Sequence, residues 1–124
     1  MANRFSLSGG WNVDAASGSN SFDPAFATVI NEVRTLDYRQ VTVQDLLTNG
    51  EVTISFGAVT EAHVLIVDAS AAVTMKLTST AGTDQIVVAD KLILLCADTP
   101  VTALKVTRSP GVDTTLRIFA GQAA

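Results

Sequence analysis

Residues 52–77 read Val-Thr-Ile-Ser-Phe-Gly-Ala-Val-Thr-Glu-Ala-His-Val-Leu-Ile-Val-Asp-Ala-Ser-Ala-Ala-Val-Thr-Met-Lys-Leu. Val52-Thr-Ile54-Ser-Phe56 and Val73-Thr-Met75-Lys-Leu77 carry an apolar side chain at every second position. Strand side chains point alternately to opposite faces, so each segment offers one face to a core and one to water. Between them, His63-Val-Leu-Ile-Val67 is apolar on both faces, the pattern of a central strand.

The same texture extends outward. Gly57 ends the first segment, and Asp68-Ala-Ser reads as a turn before Val73–Leu77. Further strands are expected at 85–88, 92–95, 101–106 and 115–119. Turn signals separate them at Ala81-Gly-Thr-Asp84, Ala89-Asp-Lys91, Ala97-Asp-Thr-Pro100 and Ser109-Pro-Gly-Val-Asp113. Asn49-Gly50 tolerates positive φ at both positions and predicts a hairpin joining 41–47 to 51–56. Short strands about ten residues apart predict an all-β fold, an antiparallel β-sandwich of jelly-roll type.

Upstream the composition changes. Residues 1–21 are rich in Gly, Ser, Asn and Ala, and read as an extended arm ahead of a sandwich domain over 22–124. Phe5, Trp11 and Phe22 are large apolar groups in or beside this arm, and are the candidate partner-binding residues. Trp11 has two readings, a plug for the chain's own core or an anchor on a partner. Asp23-Pro24 with Phe26, Val29, Ile30 and Val33 fits a short capped helix. The β-branched Thr28-Val-Ile favours extended chain instead.

The chain has 124 residues, enough for one core, and only 16% of them are charged. A surface so poor in charge suits burial against other chains. The net charge is −4, and Arg34, Arg39, Lys76, Lys91, Lys105, Arg108 and Arg117 are scattered singly, which argues against nucleic acid as a partner. No apolar run is long enough to span a bilayer, and the first ten residues lack the apolar region of a signal peptide. The expected location is a cytoplasm, with release by lysis. Cys96, the single cysteine, follows Leu92-Ile-Leu-Leu and reads as a buried, inert thiol.

Reactive groups are few. His63 is the sole histidine, and only Glu61 stands near it as a partner for general-base work, so a structural role is expected. One histidine and one cysteine cannot build a zinc site, and no metal or other cofactor is expected. Most carboxylates fall at expected turns, where Asp bonds its own backbone. No Gly-x-Ser-x-Gly elbow and no phosphate loop occurs. One Trp and one Tyr are few for stacking on sugars. The pattern predicts a protein that holds and contacts, not an enzyme.

Three stretches carry a resemblance: 52–67, 73–77, and Val101-Thr-Ala-Leu-Lys-Val-Thr-Arg-Ser-Pro-Gly-Val-Asp-Thr-Thr-Leu-Arg-Ile-Phe-Ala-Gly121. In texture they resemble small virion structural proteins of tailed bacteriophages, the capsid decoration (cement) and minor head or tail proteins. The resemblance implies a β-sandwich without enzyme activity, a homo-oligomer (often a trimer), and attachment to the major capsid protein or other virion proteins. It implies location in the virion, with no nucleic-acid or membrane partner. A tail or baseplate component and a small carbohydrate-binding receptor-recognition domain are the alternatives. It transfers no functional residue by position.

Overall fold

The central stretch forms one strand, not two. In the computed structural model, which describes residues 3–9 and 30–123, Val64–Ser79 is a continuous strand. In chain order the elements are β1 (Asn3–Gly9), β2 (Ile30–Leu46), β3 (Val52–Ile54), β4 (Val64–Ser79), β5 (Asp84–Leu95), β6 (Val101–Arg108) and β7 (Thr114–Ala123). Among the described residues all pairings are antiparallel and the seven strands belong to one sheet. The order is β1-β2-β7-β4-β6-β3, with β5 on the other edge of β4. The sheet curls into a half-barrel.

The turn expected at Asp68-Ala-Ser is instead a fork. Val64–Ala69 pairs with β7 along one edge of β4, and Val73–Ser79 pairs with β6 along that same edge. On the other edge β5 accompanies β4 through both halves. Between the pairs Asp68↔Lys91 and Val73↔Ala89, β4 holds four residues (69–72) and β5 only Asp90. Ala69-Ser-Ala-Ala72 suits this place, because small side chains let two strands diverge without leaving a void. Polar side chains satisfy the backbone groups at the fork. Thr115 N–H donates to Ser70 Oγ (3.0 Å), Ser109 Oγ donates to the Ala72 carbonyl (3.0 Å), and Lys91 Nζ reaches the Ala69 carbonyl (3.5 Å).

Curling brings the inward faces of both halves together. One core joins Leu46 of β2, Leu65 and Val67 of the first half of β4, Leu116 and Ile118 of β7, Met75 and Leu77 of the second half, and Leu104 and Val106 of β6. Phe56 and Val59 fill it from the β3–β4 connection. Leu65, Met75, Leu104, Val106 and Leu116 are fully buried.

β2 also serves two partners. Its first part pairs with β1 and its second with β7, with a register shift between Leu36 and Tyr38. Seven residues of the expected arm, 3–9, are therefore a sheet strand. Phe5 stacks on Phe119 of β7, with ring centroids 5.6 Å apart. The expected arm boundary at 21/22 lies outside the described residues.

One open alternative is decided and one expectation is corrected. No helix occurs among the described residues: Ile30 and Val33 lie in β2, where the pairing with β1 selects the extended form that β-branched side chains favour. The rest of the expected helix lies outside the described residues. Asn49-Gly50 does not close a paired hairpin either, since the second part of β2 pairs with β7 and β3 pairs with β6. Asn49 Oδ1 accepts from Arg108 Nε (3.1 Å) and Gly111 N–H (3.0 Å), tying its turn to the β6–β7 turn. Its amide thus fixes a distant contact instead of a local reversal. Thr42 Oγ1 still bonds the Ser55 carbonyl (3.3 Å), so the chain runs alongside β2 without a ladder.

Gly57 has φ 60°, and a Cβ there would stand 2.5 Å from Gln40 Oε1. Gly57→Ala is expected to cost about 1–2 kcal/mol from backbone strain alone. Leu104→Ala, which empties a fully buried site, should cost about 2–5 kcal/mol. Denaturant unfolding measures both.

Candidate functional site

His63 and Arg34, two groups that could carry chemistry, hold strand ends. His63 precedes β4. Its N–H donates to the Gly121 carbonyl (2.8 Å), its carbonyl accepts from Cys96 N–H (2.8 Å), and its Nδ1 accepts from Ala123 N–H (3.1 Å). One of the two ring nitrogens is thus an acceptor within the fold. Arg34 of β2 reaches the same place, its guanidinium donating to the carbonyls of His63 (3.2 Å) and Cys96. Glu61 is exposed, and its N–H and that of Thr60 lie at Gln122 Oε1 (3.4 and 3.0 Å).

Asp68 and Asp90, expected as turn formers, sit in or opposite β4 at the fork. Asp68 Oδ1 lies 2.6 Å from Lys91 Nζ, in register with Arg117 of β7. With Ser70 and Thr115 they line an open hollow of about 300 Å³. The Lys91 hydrogen bond and charge hold the Asp68 carboxyl below its ordinary 3.8, and Asp68 holds Lys91 above its ordinary 10.5. A carboxylate kept ionised and an ammonium kept protonated are poorly tuned for proton transfer near neutrality. The cluster clamps β4 to β5 where the ladder is broken. Among the described residues no group of three His, Cys, Asp or Glu could hold a metal ion.

What the described surface does offer is apolar strand. On β2, Val41 (67% exposed), Val43 (65%) and neighbouring Leu47 point outward, with Tyr38 close by. On β5, Ile86, Val88 (71%) and Ile93 are exposed, and the inward-facing Val87, Ala89, Leu92 and Leu94 are only half-buried. Between β5 and the start of β6 the half-barrel opens into a groove of about 460 Å³, lined by Leu77, Val87, Leu92, Leu94, Cys96 and Val101 under a rim of Ser, Thr and Gln. Among the described residues β5 pairs only with β4, so its outer edge is unpaired backbone. Exposed apolar patches beside free edges mark interaction surfaces.

Of the sequence-predicted partner residues, Phe5 is half-buried against Phe119, so its ring is engaged within the sheet. Trp11 and Phe22 lie outside the described residues. Cys96 is half-buried on the groove and not deep in the core, and burial pushes its thiol above the ordinary value. Sequence reasoning missed the exposure of β5, because an apolar run such as Leu92-Ile-Leu-Leu reads the same whether its second face meets a core or water. The charged pair Asp90-Lys91 immediately before the run was the available signal.

Compared with known proteins, the chain matches no family model, no curated protein and no solved structure.

Because Asp68 is depressed, its contribution to stability is present above pH 3.8 and lost as pH falls through the folded-state value. Because Lys91 is raised, its contribution is present below pH 10.5 and lost as pH rises through the folded-state value. Asp68→Asn should therefore lower the melting temperature between these limits, with the difference shrinking outside them and in high salt. Thermal scans across pH test this. The Cys96 thiol should react with a disulfide reagent more slowly in the folded protein than after unfolding, because burial raises its pKa and partly covers it.

Proposed function

We propose that this is a non-enzymatic virion structural protein, a capsid decoration (cement) protein that attaches to the major capsid protein or another virion protein. The observation that carries the reading is the apolar surface on β2 and β5, displayed by a single continuous sheet. Apolar area removed from water stabilises by about 25 cal/mol per Å². A protein whose task is to remain on a lattice gains most from such surface when it is presented without further ordering. The curled sheet takes the part of the sandwich found in that class, its two walls enclosing one core. Trp11 and Phe22 serve as additional anchors on the lattice.

Mass spectrometry of purified virions from lysates of the source organism tests the proposal. A copy number comparable to that of the capsid subunit is the expected result, and a handful of copies would place the protein in the tail. Absence from virions contradicts it. Val41→Asp with Val43→Asp should abolish rebinding to stripped particles while leaving the unfolding midpoint nearly unchanged, because both side chains face solvent.

A further inference from the structure

β5 changes phase once. Val87 and Ala89 face inward before the Asp90-Lys91 step, and Leu92 and Leu94 face inward after it. Ile86 and Val88 face outward before it, and Ile93 outward after it, with Leu95 on the same side. Asp90 and Lys91 both lie on the exposed side. The cause is the fork. β4 keeps regular alternation through 69–73, whereas β5 spans the same interval with one residue, so its alternation breaks there.

The result is a strand whose pattern reads the same from either end. Turned end for end about the 90/91 step, 86 exchanges with 95, 87 with 94, 88 with 93, 89 with 92, and 90 with 91. Each exchange keeps the side-chain face. Strand backbone polarity alternates with side-chain direction, so residues sharing a face offer N–H and C=O to the same edge. Turned about this step, the edge of β5 that is unpaired among the described residues is therefore complementary to itself in hydrogen bonding, in apolar facing and in charge. Long edge strands are normally blunted by scattered charge. Here the only charges between Gln85 and Leu95 are one acid and one base side by side at the centre.

We propose that β5 is the two-fold interface of a homodimer, two copies pairing antiparallel about Asp90-Lys91 with Val88 opposite Ile93 and Asp90 opposite Lys91 of the second copy. An isologous contact of this kind is closed and leaves no unpaired edge on β5. It continues the sheet from one molecule into the next and joins the two half-covered inward rows, Val87-Ala89 and Leu92-Leu94, side by side. The inference rests on reading β5 as an interaction surface. It selects a two-fold association where the virion resemblance implies a trimer.

The test is the mass and register of the full-length protein in solution. Sedimentation velocity should give twice the mass of one chain, and Asp90→Lys, which sets four cations about the axis, should shift the protein to monomer. In a Cys96→Ser background, Val88→Cys combined with Ile93→Cys should oxidise to a disulfide-linked dimer, because directly opposed residues bring Cα atoms within about 4.5–5.5 Å, inside disulfide range. Either cysteine alone should stay uncrosslinked, since it lies about 16 Å along the strand from its own copy in the second chain. A monomer or trimer by mass, or a single-cysteine variant that crosslinks as well as the double, overturns the proposal. Such a failure leaves virion attachment, read from copy number, untouched.

Discussion

The structure depends on one constraint: a single edge of β4 serves two different strands. Up to Ala69 that edge belongs to β7, and from Val73 it belongs to β6. A strand cannot hydrogen-bond two neighbours on one edge at one place, so the sheet must divide there. Division lets β6 and β3 swing away from β7 and β2, and the inward faces of the two walls close on each other. The buried cluster that links Leu116 and Ile118 to Leu104 and Val106 follows from that division. β5 accompanies both halves and holds them in one sheet.

The fork also shapes the surface. Where β4 takes four residues, β5 takes one, and the shortfall puts Asp90 and Lys91 together on the outside. Lys91 spans the gap to Asp68 and to the Ala69 carbonyl, so the charged pair at the centre of β5 is part of the clamp that closes the fork. The same local geometry therefore accounts for an internal feature, the curl, and an external one, the self-complementary edge. The opposite rim is secured by backbone and guanidinium bonds around His63, Cys96 and Gly121.

Much of this was legible in the sequence, and the exceptions have physical causes. Alternation showed strand at 73–77 and, within 52–56, at 52–54, and the two-sided apolar run at 64–67 showed a central one, because burial on each face is written directly in residue type. Turns requiring positive φ were legible at Gly57, Gly82 and Gly111. Asp68-Ala-Ser was misread because small and acidic residues suit a turn and a bulge equally well, and only the strands on either side decide between them. Asn49-Gly50 failed for a related reason: a distant arginine and glycine claim the Asn49 amide. The structural role of His63 was legible, but its particular partners come from strands that the sequence sets about thirty residues away (Arg34, Cys96) and about sixty (Gly121, Ala123). The apolar character of β5 was plain, whereas its exposure depends on where β5 stands in the sheet.

The most direct test of the account is inter-strand Hα–Hα and amide NOEs from β4 in solution. Contacts from 64–69 to β7 and from 73–79 to β6, with β5 contacts along both halves, are the result the fork predicts. Contacts between 64–67 and 73–77 themselves, as a turn at Asp68-Ala-Ser would produce, would contradict it.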